Sequence, residues 1–101
     1  MNLLTRLVLA SCILVPTAMY AECALDSIGN VYCSKHPNGG AETDNLGNVV
    51  CGKGDCAGNN LGTVYCSKVQ GGGAAVDSLG TVRCLGGCEQ GSAAMCEMGK
   101  I

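Results

Sequence analysis

One short pattern of polar and apolar residues occurs four times in the chain, and each copy begins with the same turn sequence. The segments are residues 26–33, 44–51, 59–66 and 77–84, and each consists of Asp or Asn, a polar residue, Ile or Leu, Gly, a polar residue, Val, a variable residue and Cys. Asp and Asn side chains accept hydrogen bonds from the backbone of a turn, and Gly tolerates a positive φ. Each segment therefore predicts a β-hairpin with a three-residue loop whose second strand ends in cysteine.

The four hairpins form two duplicates. Residues 23–55 align without gaps on residues 56–88, an offset of 33, and about half of the aligned pairs are identical. The sequence predicts a small, disulfide-rich, all-β fold, a tandem array of four β-hairpin repeats in two 33-residue duplicates. The repeats are 23–33, 41–51, 56–66 and 74–84, followed by a tail at 85–101. Within the tail, residues 92–98 predict one or two helical turns capped by Ser92.

The amino terminus differs from the repeats. Arg6 precedes a short, mostly apolar run at residues 7–15, and small residues surround Ala21. This pattern predicts a signal peptide at residues 1–21, with no transmembrane segment after its cleavage, because a membrane span needs about 20 apolar residues. The sequence before Cys12 also matches a bacterial lipobox, so lipid anchoring at Cys12 is the alternative.

The composition of residues 22–101 excludes several classes of protein. Eight acidic residues oppose five basic ones once Arg6 is removed, and the chain has no Phe or Trp. An acidic chain with so few aromatic residues argues against nucleic-acid binding. A chain of this length with few large side chains also needs covalent support for its core.

Cysteines supply this support in the predicted exported chain. Removal of Cys12 with the signal peptide leaves eight: Cys23, Cys33, Cys51, Cys56, Cys66, Cys84, Cys88 and Cys96. An even number in a short exported protein predicts four disulfides. With a three-residue loop, Cys23 faces Cys33 and Cys56 faces Cys66 across their hairpins, so we predict these two bonds.

The pairing of the other four cysteines stays open at this point. Ala41 and Ala74 face Cys51 and Cys84, which must therefore bond elsewhere. Duplication symmetry favours Cys51–Cys84 with Cys88–Cys96. Cys84–Cys88 with Cys51–Cys96 is an alternative. A different scheme joins successive hairpins through Cys33–Cys51 and Cys66–Cys84.

Strand alternation assigns two sides to each hairpin. One side carries the valines and cysteines that recur in the repeats, and we expect it to form the core: Leu25, Val31, Cys33, Val49, Cys51, Val64, Cys66, Val76, Val82 and Cys84. The opposite side is half-polar and carries Tyr32, Val50, Tyr65 and Arg83. The third residue of the repeated segment, at the tip of the turn, is aliphatic in every repeat: Ile28, Leu46, Leu61 and Leu79. We expect these four tips to pack on neighbouring hairpins; the alternative is an exposed interaction stripe.

Residues for catalysis are not grouped in the sequence. His36, the only histidine, lies in a Pro/Gly linker, and the aspartates occupy turn positions. We therefore expect no enzyme, no cofactor and no metal site. The predicted function is that of an exported, non-catalytic structural or binding repeat protein with an unknown protein or cell-surface partner. The alternatives are an exported metal-binding protein that uses cysteine thiolates and a small secreted toxin or inhibitor.

Overall fold

The computed structural model describes residues 21–99, so the predicted signal peptide and Cys12 lie outside the described residues except for Ala21. The chain is all-β, as the sequence predicts, with four hairpins in chain order. Its strands are β1 (Cys23–Leu25), β2 (Val31–Ser34), β3 (Ala41–Thr43), β4 (Val49–Cys51), β5 (Cys56–Gly58), β6 (Val64–Ser67), β7 (Ala74–Val76), β8 (Val82–Cys84), β9 (Cys88–Gln90) and β10 (Cys96–Met98). Hairpins 1 to 4 are β1–β2, β3–β4, β5–β6 and β7–β8.

Each hairpin closes through the predicted three-residue loop. In hairpin 1, Asp26 Oδ1 accepts hydrogen bonds from the backbone N–H groups of Ile28 at 3.0 Å and Asn30 at 2.8 Å. Gly29 follows in the left-handed region with φ of +90°. The resulting register places Cys23 opposite Cys33, and hairpin 3 repeats it with Cys56 opposite Cys66. Both predicted disulfides, Cys23–Cys33 and Cys56–Cys66, are present in the structure.

The hairpins stack in chain order, and their turns are joined by a backbone ladder. In hairpins 1 to 3, the N–H of the second turn residue donates to the glycine carbonyl of the next turn: Ser27 to Gly47 at 2.9 Å, Asn45 to Gly62 at 3.3 Å and Asn60 to Gly80 at 3.1 Å. These bonds hold successive tips side by side. We call this series the tip ladder.

Buried serines join the other ends of the hairpins. Ser34 Oγ donates to the carbonyl of Gly52 at 2.9 Å and accepts from the backbone N–H of His36 at 3.2 Å. Ser67 makes the equivalent bonds with Leu85 and Val69 in the second duplicate. Each serine therefore fixes the end of one hairpin against the end of the next, a role that the sequence analysis did not assign.

The core lies between successive hairpins. Ala41, Val49 and Cys51 of hairpin 2 are buried against Ala24 and Tyr32 of hairpin 1. The valine and cysteine side of a hairpin thus packs on the half-polar side of the preceding one. Among the described residues no hairpin precedes hairpin 1, so Val31 remains exposed. Leu25 is exposed too, and so is Val76 at the equivalent position of hairpin 4. The assignment of Leu25, Val31 and Val76 to the core was therefore wrong.

The carboxyl-terminal residues 85–99 form a strap that runs back along the array. Strand β9 adds to hairpin 3 beside β6, and β10 adds to hairpin 1 beside β2. Between these strands, Ser92 forms a β-bridge with Cys51 of hairpin 2 and caps a single 3₁₀ turn at Ala93–Met95. The predicted helical segment is therefore one short turn, and its second half is a strand.

Two disulfides fix the strap, and they correct the pairing favoured by symmetry. Cys84 bonds to Cys88 where the strap leaves hairpin 4, and Cys51 of hairpin 2 bonds to Cys96. Cys51–Cys84 and Cys88–Cys96 are not formed, nor are Cys33–Cys51 and Cys66–Cys84. The reason is positional: the reversed path of the strap brings Cys96 to β4, whereas hairpin 3 separates Cys51 from hairpin 4.

The turn glycines provide a test of the tip ladder. Alanine at Gly62 would adopt a positive φ, and its Cβ would lie 2.5 Å from Asn45 Cβ of the preceding tip. Alanine at Gly29 would adopt the same φ, but no described atom lies within 4 Å of its Cβ. We expect Gly29→Ala to lower the free energy of unfolding by about 1–2 kcal/mol, and Gly62→Ala by about 1–3 kcal/mol more because of overpacking.

Urea denaturation of both variants measures this difference, with Gly29→Ala as the matched control for backbone strain. Equal losses in the two variants would show that the tips do not pack closely.

A row of aliphatic turn residues as candidate functional site

The four aliphatic tips are exposed. The exposed fractions of Ile28, Leu46, Leu61 and Leu79 lie between 76% and 81%. The expectation that each tip packs under a neighbouring hairpin is therefore wrong. The reason is that the tip ladder joins the turns through their backbones and leaves the aliphatic residue of each turn pointing to solvent. Large apolar side chains in such an exposed series are unusual on a small protein.

The order of the tips follows from the stack. Each tip occupies the same position in its turn, and the ladder joins turn to turn along the array. The four side chains therefore form one row that crosses all four hairpins, which we call the tip row. Its spacing is fixed by backbone hydrogen bonds rather than by the side chains themselves. A surface of this kind loses little conformational freedom when it binds.

Two related grooves lie beside the tip row, one in each duplicate. The groove between hairpins 1 and 2 has a volume of about 370 Å³, and that between hairpins 3 and 4 about 380 Å³. Equivalent residues line both: Tyr32 and Val49 in the first, Tyr65 and Val82 in the second. Leu61 of the tip row also lines the second groove. The apolar surface of the tip row thus continues into the second groove through Leu61, and each groove has a tyrosine in its wall.

A third, smaller recess separates these grooves. It lies between hairpins 2 and 3, has a volume of about 190 Å³, and is lined by Leu46, Val50 and Val64 among others. Each junction between successive hairpins therefore offers a depression, and a tip residue, Leu46 or Leu61, lines two of the three. An apolar ligand surface could place side chains between neighbouring tips at these depressions.

Asp26 and Asp77, which lie beside the tips, accept hydrogen bonds from the backbone of their own turns. The backbone N–H of Thr81 donates to Asp77 and lowers the pKa of this carboxyl, partial burial opposes the shift, and Arg83 at 3.2 Å lowers the pKa further. Partial burial raises the pKa of Asp26, but hydrogen bonds from Asn30 and Ile28 outweigh it, so the pKa is lowered overall. Both groups are therefore charged turn acceptors near neutral pH, and their oxygens are occupied within the turn.

The cysteines do not offer thiolate ligands in this structure. All eight cysteines among residues 21–99 are in disulfides. In the same residues, no group of three or more His, Cys, Asp or Glu side chains is arranged to hold a metal ion. His36 lies in the loop between β2 and β3, where its backbone N–H and carbonyl bond Ser34 and Gly39. No helix of the described part of the chain has the length and apolar character to cross a membrane.

Comparisons with known proteins add no relative. A scan against protein-family models finds no match, and searches of curated proteins and of solved structures find no similar protein. The tip row and its grooves, rather than similarity to another protein, are the basis for a functional proposal.

Proposed function

We propose that this protein is an exported, non-catalytic binding repeat that docks another extracellular protein on the tip row. The observation that carries the proposal is the exposure of four aliphatic side chains in one row, each at least 76% exposed and more exposed than any other large apolar residue of the described chain. A folded protein exposes such a series at a cost in solubility, so a binding role explains its presence.

The disulfides support the location. Four disulfides in a chain of this size fit an oxidising compartment. Together with the predicted signal peptide, they favour a secreted or periplasmic protein. The partner should therefore be a protein of the same compartment, either free or attached to the cell surface.

The chemistry of the surface defines the partner. The tips are apolar, and each groove has a tyrosine and a valine in its wall beside polar turn residues, while the chain as a whole carries a net charge of −2. An acidic molecule does not attract nucleic acid, and apolar tips do not form hydrogen bonds with sugars. We expect a protein that presents an apolar edge, with side chains inserted in the recesses between the tips.

Photo-cross-linking in the exporting cells tests this proposal. A photoreactive amino acid replaces Leu46 or Leu61 in the tip row and, as the control, Val69, an exposed apolar residue in the loop between β6 and β7. We expect both tip positions to yield the same discrete adduct with one protein, and Val69 to yield none. No adduct at either tip, or equal labelling at all three positions, would contradict a binding role for the tip row.

A further inference from the structure

The first hairpin has an apolar face that no part of the described chain covers. Leu25 is 57% exposed and Val31 is 42% exposed on its outer side. The residues equivalent to Val31 in hairpins 2, 3 and 4 are Val49, Val64 and Val82, which are only 3–8% exposed. In those hairpins the preceding hairpin provides the cover. We call the uncovered side of hairpin 1 the head face.

A carboxylate completes the head face. Glu97 of β10 lies directly opposite Cys33 of β2, so both side chains point to the same side of the sheet as Val31. Glu97 is exposed. The head face therefore combines an apolar patch with a negative charge.

The other end of the array has the complementary charge. Ala75 and Arg83 face each other across hairpin 4 and point away from hairpin 3. The Arg83 side chain is 75% exposed, and it contacts Asp77 through Nε alone, which leaves other N–H donors of the guanidinium free for a second carboxylate. We call this side of hairpin 4 the tail face. It corresponds in the repeat to the side of each hairpin that packs under the next one.

The tip ladder is also incomplete at both ends. In hairpins 1 to 3, the second turn residue donates its N–H to the glycine carbonyl of the following hairpin. Among the described residues, the N–H of Ser78 in hairpin 4 and the carbonyl of Gly29 in hairpin 1 have no such partner. The donor is thus at the tail face and the acceptor at the head face.

We propose that copies of this protein stack head to tail, with the tail face of one copy on the head face of the next. Arg83 then meets Glu97 of the next copy, Ser78 N–H donates to its Gly29 carbonyl, and the cover missing from Val31 is supplied. Because the two faces differ, the contact does not close on a two-fold axis and produces an open series of copies. The tip rows of successive copies then join into one longer row.

This inference involves residues outside the tip row, so it can be tested independently of the proposed function. Its test is sedimentation velocity of the exported protein over a range of concentrations, with charge-reversal variants. Arg83→Glu places a carboxylate opposite Glu97 of the next copy, and Glu97→Arg places a guanidinium opposite Arg83. We expect the natural protein to form a progressive series of oligomers, and each variant alone to associate at least about tenfold more weakly.

The mixture of the two variants is the decisive sample. Every contact between Arg83→Glu and Glu97→Arg copies restores an opposite-charge pair, so the mixture should assemble like the natural protein. This rescue also shows that both variants are folded. Lys53→Glu and Glu42→Arg make the same charge changes away from the two faces and should assemble normally. A natural protein that stays monomeric, a single closed dimer, or a mixture that fails to assemble while both variants retain four disulfides would overturn the inference.

Discussion

Replacement of Leu46 and Leu61 by asparagine is expected to weaken binding of the cross-linked partner at least about 100-fold without unfolding the protein. Each leucine that becomes buried at an interface contributes about 1.5–3 kcal/mol, and about 1.4 kcal/mol corresponds to tenfold in affinity. These two tips lie in the middle of the row, where contacts at an interface contribute most. Titration calorimetry of the double variant with the partner measures the loss.

The stability of the same variant should change little. Both side chains are 76% exposed, and asparagine is compatible with a turn. The free energy of unfolding should therefore stay within about 0.5 kcal/mol of the natural value. Val69→Asn, an apolar-to-polar change outside the tip row, is the matched control and should bind normally. Unchanged affinity of the double variant, or a loss of stability as large as the loss of binding, would show that the tips are structural.

Removal of the Cys51–Cys96 disulfide is expected to lower the free energy of unfolding by about 4 kcal/mol. The bond closes a loop across a sequence separation of 45 residues, and the entropy that it removes from the unfolded chain grows with loop length. The short Cys84–Cys88 bond, with a separation of 4, should contribute about 2 kcal/mol by the same argument. Alanine is the suitable replacement, because Cys51 is fully buried and a serine hydroxyl there would have to be desolvated.

The two double variants, Cys51→Ala/Cys96→Ala and Cys84→Ala/Cys88→Ala, form a matched pair. Urea denaturation gives their stabilities, and hydrogen exchange of β10 reports whether the end of the strap is still docked on hairpin 1. We expect fast exchange in β10 only in the first variant, since Cys96 begins this strand. If the short disulfide proves the more stabilising of the two, the strap does not hold the array together as described.

Loss of the strap should also affect the tip row. The strap contacts hairpin 1 through β10, hairpin 2 through Ser92 and hairpin 3 through β9. In a linear array, stability depends on these neighbouring contacts. A segment that spans several repeats couples them, so the strap keeps the turns in register over the whole row.

The sequence by itself determined the local structure. The turn phrase specifies the three-residue loop, the loop specifies the register, and the register places Cys23 opposite Cys33 and Cys56 opposite Cys66. These contacts lie within ten residues along the chain, so turn chemistry and strand alternation suffice to predict them. The array of four hairpins follows from the repetition of the same phrase.

Only the tertiary structure decided the direction of the stack and the path of the strap. Exposure of Leu25 and of the four tips, and the bonds of Cys51 and Cys96, depend on which hairpin side meets which neighbour. The physical reason is that period-two alternation defines two sides of a strand but not their partners. Burial against a neighbour is a property of the assembled array, and it sets both the exposed row and the open ends from which function is inferred.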